Sequence, residues 1–143
     1  MVLNKLENTT IVSSELTHSR IKTLAAKVGV SEDIISRLAL GVSIREGPVS
    51  DDWKPTKFKE ESILEDISSG KSLKGRTLFK KELGLWMVLL SRVEGKMESI
   101  DIARSKFILH WERGVEMITK EDDGEDWIFL INNLLSPTFT PNG

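Results

Sequence analysis

The chain has no cysteine at all, and that absence excludes several chemistries at once. There are no disulfides, no thiolate zinc sites, no iron–sulfur ligands and no cysteine nucleophile. It has two histidines, His18 and His110, with no second histidine at ligand spacing to either. No carboxylate cluster of metal-binding type accompanies them, so no metal and no cofactor is expected. No apolar run is long enough to span a bilayer. The first residues, Met1 to Lys5, lack the apolar core of a secretion signal, so a cytoplasmic protein without membrane contact is expected. No serine stands in a nucleophile motif with a partnered base, so the chain is expected not to be an enzyme. Gly70-Lys71-Ser72 imitates the end of a phosphate-binding loop. That loop also needs a glycine at position 65, where Glu65 would repel the phosphates.

What is present fits one domain. A length of 143 residues suits a single core. The organising stretch is 8–47. Asn8 to Val12 is β-branched after its first position and reads as a short strand. A lone strand cannot satisfy its own backbone groups. No second strand of similar strength stands nearby, so another copy of the protein is the candidate partner. Ser13 and Ser14 offer caps to a first helix whose apolar face is Ile21, Leu24, Ala25 and Val28. Gly29 is a left-handed stop. Ser31 caps a second helix carrying Ile34, Ile35, Leu38, Ala39 and Val42, which Glu46-Gly47-Pro48 ends.

Beyond a turn-rich connection containing Trp53, the spacing predicts a short helix over Lys57 to Ile67 and an extended or irregular stretch from Ser72 to Phe79. Lys80 to Val93 is apolar nearly all round and is expected to be the buried, central core helix. A long helix from Ile100 to Lys120, capped by Ser99, places Ile108, Trp111, Val115 and Ile118 on one face. The remainder, 121–143, is acidic, then apolar from Trp127 to Leu135. The expected architecture is therefore mainly α: a strand-helix-helix unit, a buried core helix and a long C-terminal helix. Strand followed by two helices is also the order of ribbon-helix-helix proteins, some of which place a paired ribbon in the DNA major groove.

Net charge is −2, but the charges are segregated. Lys71, Lys74, Arg76, Lys80 and Lys81 form a segment without acids, and Glu121 to Asp126 one without bases. The basic segment can track a phosphate backbone, with Gly75 allowing close approach; a solvated loop explains the same charge equally well. Arg20, Lys22 and Lys27 lie away from much of the first helix's apolar face. They read as a solvated surface or as further phosphate contacts.

The order and spacing of these features resemble the DndE family, the small subunit of the bacterial DNA phosphorothioation machinery. The resemblance runs from about Ile11 to Ile118. It is carried by Leu24 through Gly29 into Ser31-Glu32-Asp33-Ile34-Ile35-Ser36-Arg37-Leu38-Ala39, by Ser43-Ile44-Arg45-Glu46-Gly47, by Gly75-Arg76-Thr77-Leu78-Phe79 with the apolar helix to Leu90, and by His110, Arg113 and Gly114. The insertion around Trp53 to Gly70 and the tail after Lys120 depart from it. The resemblance implies a helical homo-oligomer, a tetramer, that binds double-stranded DNA, nicked duplex included, through surface lysines. It implies the other DNA sulfur-modification subunits as partners, with the sulfur chemistry residing in them. The expected phosphate contacts are Lys71, Lys74, Arg76, Lys80 and Lys81, joined by Arg20, Lys22 and Lys27. Two other readings remain open: an adaptor touching protein alone through Trp53 and 127–135, and a ribbon-helix-helix repressor that reads base sequence.

Overall fold

The computed structural model describes residues 3–122. A short helix α1 (Leu3–Glu7) leads into strand β1 (Thr10–Val12). Ser14, not Ser13, caps α2 (Glu15–Val28), its hydroxyl accepting the Thr17 N–H at 3.1 Å. Gly29 ends α2 at φ 79°, the left-handed conformation that favours glycine, and its N–H returns to the Ala25 carbonyl. Ser31 then caps α3 (Glu32–Glu46) through the Ile34 N–H. The strand-helix-turn-helix order is therefore as the caps and stop residues predict.

The strand's partner is not. β1 pairs antiparallel with β2 (Ser72–Lys74) of the same chain, with Thr10 opposite Lys74, Ile11 opposite Leu73 and Val12 opposite Ser72. This corrects the expectation of a partner in another copy. Ser13 N–H to Lys71 C=O and Gly75 N–H to Thr9 C=O continue the pairing at both ends. The central pair, Ile11 and Leu73, is buried and ties the ribbon to the core. Backbone packs so closely here that only glycine fits. A Cβ at Gly70 would lie 1.6 Å from the Ser13 carbonyl oxygen, and one at Gly75 would lie 2.1 Å from that of Leu6. Gly75 thus serves the packing of α1, not an approach to phosphate. The outer edge of β1 is also engaged: the Arg104 guanidinium donates to the Thr10 carbonyl through Nε at 3.2 Å and Nη2 at 3.1 Å.

After β2 come α4 (Gly75–Phe79), α5 (Leu83–Glu94) and α6 (Ile100–Glu121). Ser72 to Phe79 therefore divides into strand and helix, where the spacing predicts an irregular stretch. The central helix is α6, not α5. Ala103, Phe107, Trp111, Val115 and Ile118 are wholly buried on α6. α3 lies along it in the antiparallel sense, with Ala39 against Gly114 and Ser43 against His110 and Arg113. A Cβ at Gly114 would meet the Ala39 carbonyl oxygen at 1.8 Å, so glycine sets the closeness of this contact. α5 buries only Leu83, Met87 and Leu90, while Leu85 is 56% and Val88 58% exposed. A helix apolar all round is buried only on the faces that meet a neighbour. Phe79 bridges α4, α5 and α6, its ring centroid 4.6 Å from that of Phe107 and 6.5 Å from that of Trp86.

The expected helix over Lys57 to Ile67 does not form; the segment is a series of turns. Distant side chains capture the backbone of Leu64 within it and of Thr56 at its start instead. Ser19 Oγ accepts the Leu64 N–H at 2.9 Å, Glu116 accepts that of Thr56 at 2.6 Å, and Arg20 donates to the Thr56 carbonyl. Such contacts compete directly with the i to i−4 pattern of a helix. Among its apolar residues Ile67 is buried, while Ile63 and Leu64 stay exposed. The described residues make a mainly helical, compact unit with one short ribbon. Among them, no helix is long and apolar enough to cross a membrane. The expectation of an apolar segment from Trp127 to Leu135 lies outside the described residues.

Candidate nucleic-acid interface

The structure sorts the eight cations into two groups. Arg20 is 3% exposed and faces inward. Its Nε and Nη2 make a two-pronged contact with Glu61, at 2.7 and 2.8 Å, and Nη1 reaches Glu116 at 3.0 Å. Its guanidinium carbon stands 4.6 Å from the Phe58 ring centroid. Burial alone would lower its pKa, but the two carboxylates outweigh that and raise it, so it stays a fixed cation. Every prong is occupied, which removes Arg20 from the phosphate contacts expected of it. Lys22 pairs with Asp66, and Lys27 with Asp122 at 2.6 Å. Both lysines are partly exposed but already answered by an acid. Lys71 pairs with Glu32 at 3.1 Å, which draws it against the first turn of α3.

The remaining four stand together on the surface. Lys74 is the exposed last residue of β2, Arg76 lies in α4, and Lys80 and Lys81 form the turn into α5. Among the described residues, Lys74, Lys80 and Lys81 have no acid partner. Arg76 donates through Nη2 to Asn8 Oδ1 at 2.6 Å and keeps its charge exposed. Lys80 adopts φ 54°, a left-handed conformation rare outside glycine, with its N–H held by the Arg76 carbonyl. This bend turns the chain between α4 and α5 and carries the two lysines outward. Arg104, which sequence alone gives no reason to choose, adds a fifth cation beside Thr10, the register partner of Lys74. The packing of α6 on β1 puts it there.

A second polar constellation lies inside the fold. Arg113 Nε donates to Ser43 Oγ at 2.9 Å, and Ser43 Oγ lies 2.8 Å from His110 Nδ1. His110 Nε2 lies 2.6 Å from Glu94 Oε2, and Lys106 reaches Glu94 Oε1 at 3.2 Å and Asp51 at 2.8 Å. With Arg113 donating to Ser43, the serine hydroxyl is free to donate to Nδ1, which assigns the proton of neutral His110 to Nε2, facing Glu94. Burial pulls the His110 pKa down, against the pull of Glu94 upward. For Glu94, burial pushes upward, but the Val49 N–H, His110 and Lys106 together bring it below the ordinary range. Sequence reading finds no base partnered to a serine; the fold brings Ser43 and His110 together from residues 67 apart. Both are 0% exposed, so the pair as placed has no route to a substrate. Its visible work is to join α3, α5 and α6. The remaining prongs of Arg113 extend that join by binding the Ser43, Gly47 and Pro48 carbonyls at the C-terminal end of α3. Among the described residues, no group of three or more His, Asp or Glu could hold a metal ion.

Lysines at a surface corner act as point charges without geometric preference. They can attract a polyanion but offer no forked contact to a particular base edge. Comparison with protein-family models, curated proteins and solved structures finds no match to this chain.

Proposed function

We propose that the chain is a non-catalytic, DNA-binding subunit of a phosphorothioation system, of the DndE type, working in the cytoplasm as a homo-oligomer with the sulfur-modification enzymes. The observation that carries the reading is the exposed group of Lys74, Arg76, Lys80 and Lys81, of which the three lysines have no acid partner among the described residues. The resemblance along Ile11 to Ile118 supplies the identity of the polyanion. The phosphate contacts proposed are these four residues together with Arg104. Lys71, Lys22, Lys27 and Arg20 are withdrawn, because each is already paired with an acid, Arg20 inside the fold and the lysines at its surface. Binding is read as backbone contact with little sequence preference. The base-reading repressor is disfavoured, because β1 carries no Arg or Lys and spends one edge on β2.

The test is charge reversal of Lys74→Glu, Lys80→Glu and Lys81→Glu together, followed by fluorescence anisotropy with intact and nicked duplex. All three side chains are exposed, so folding should survive. Affinity at low salt should fall by about tenfold or more, because three phosphate contacts become repulsive. Unchanged affinity in the folded variant contradicts the proposal. Light scattering of the wild type with and without duplex reads the assembly in the same buffer.

A further inference from the structure

α5 carries apolar residues that the core does not use. Leu83, Met87 and Leu90 face inward, while Leu85 and Val88, one turn apart, are more than half exposed. A shallow recess of about 370 Å³ adjoins them, lined by Met87, Val88, Ser91 and Arg92. Charges of opposite sign bracket this stretch. Exposed Glu82 stands at the N-terminal end of α5 and exposed Arg92 in its last turn. Exposed Lys81 comes just before Glu82.

A protruding apolar side chain beside a recess fits a partner with the same two features. Residue 87 is midway between Glu82 and Arg92, next to Val88. Two copies of α5 laid antiparallel about a two-fold axis at that point bring Val88 against Val88, and Glu82 of each copy to Arg92 of the other. Lys81 then falls at the C-terminal end of the second copy's α5, where open carbonyls carry partial negative charge. A parallel pair would set Glu82 on Glu82, Arg92 on Arg92 and Lys81 on Lys81, so charge selects the antiparallel arrangement. A lipid surface offers no side chain to fill the recess, and an anionic one repels Glu82.

We propose that the exposed face of α5 is an interface between two copies of this chain, paired antiparallel about Val88, with Leu85 and Val88 at its centre and a Glu82–Arg92 ion pair at each end. Removal of apolar surface from water supplies the attraction, and the ion pairs set the direction. The 12 residues of α5 rise about 18 Å, so the contact is small and the association weak. The pairing names a face for the homo-oligomer proposed above; it rests on that part of the reading and not on duplex binding.

Sedimentation equilibrium of the full chain, from micromolar to millimolar concentration and without nucleic acid, tests it. The wild type should self-associate. Val88→Glu sets two carboxylates together at the axis and should weaken association by about tenfold or more. Leu85→Glu repeats the test one turn along, should Val88→Glu disturb α5. Glu82→Lys and Arg92→Glu should each weaken association alone and restore it when combined, because the exchanged charges meet again across the axis. The absence of native cysteine gives a check on register. Val88→Cys should close a disulfide between chains about tenfold faster than Glu60→Cys, an exposed position outside α5. Association that Val88→Glu and Leu85→Glu both leave unchanged overturns the pairing, and leaves the homo-oligomer to another face. A chain that stays single at every concentration overturns both, while duplex binding keeps its own titration. A single chain whose Leu85 and Val88 seat on vesicles of mixed phosphatidylcholine and phosphatidylserine gives the face to a lipid surface and likewise overturns the pairing.

Discussion

Replacing Arg20 with alanine separates the structural account of this residue from the electrostatic one most sharply. The side chain is 1% exposed, and its partners Glu61 and Glu116 are 15% and 18% exposed. Alanine removes three charge-assisted hydrogen bonds to carboxylates and the stem packed on Phe58. It leaves two carboxylates facing each other across the vacated space. Breaking a buried ion pair from one side typically destabilises by about 3–5 kcal/mol. Each acid keeps some solvent and one backbone N–H, from Phe58 or Thr56, so the lower end, about 3 kcal/mol, is expected here. Urea unfolding at neutral pH reads it as a lower midpoint with little change in slope. The pH dependence gives a second check. Arg20 first, then the Phe58 N–H, hold the Glu61 carboxyl below its ordinary value against the effect of burial. A depressed carboxyl contributes stability that is present above its unfolded pKa, about 4.3, and is lost as pH falls through the folded value. The gap between wild type and Arg20→Ala should therefore be full at pH 7 and narrow below about pH 4. A gap under about 1 kcal/mol at neutral pH, or one that does not narrow in acid, refutes the reasoning. Adding Glu61→Gln and Glu116→Gln to Arg20→Ala should recover part of the loss, because no uncompensated charge then remains.

Other consequences follow from the same contacts. Gly114→Ala should destabilise by about 3 kcal/mol or more, because α3 must move away from α6; thermal unfolding against a surface Gly84→Ala control reads it. Burial keeps the His110 pKa below its ordinary value, so neutral His110 contributes stability above about pH 6.5 that is lost as pH falls. A His110→Gln variant should lack that component of the slope between pH 7 and 5 when both proteins are followed by urea unfolding. Ser43→Ala should cost about 1–3 kcal/mol by orphaning Arg113 Nε and His110 Nδ1, measured in the same way.

How much of this is legible in the chain depends on the range of the contact. Ser14, Ser31 and Ser99 cap their helices and Gly29 ends the first, because those interactions span three or four residues. β2 escapes sequence reading because Ser72-Leu73-Lys74 alternates over only three residues, too short for a pattern. Its pairing with β1 depends on Gly70 and Gly75, whose packing partners Ser13 and Leu6 lie far away in sequence. α5 is less buried than its pattern predicts because periodicity records which residues are apolar, not how many faces find a neighbour. Likewise, 57–67 has the residues of a helix, but Arg20 claims Glu61 from 41 residues away. The basic corner is legible as charge. What sequence cannot give is the subtraction: the acids that neutralise Arg20, Lys22, Lys27 and Lys71 are scattered from Glu32 to Asp122.

The measurement that tests the central proposal most directly is the salt dependence of duplex binding by the wild-type protein. Anisotropy titrations across a series of salt concentrations give log K against log salt. Contacts from Lys74, Arg76, Lys80, Lys81 and Arg104 predict a linear fall with a slope of about −4.5 per bound subunit, since each neutralised phosphate contributes about −0.9. The slope should be the same for unrelated duplex sequences. No binding even in dilute buffer, or an affinity indifferent to salt, contradicts the proposal.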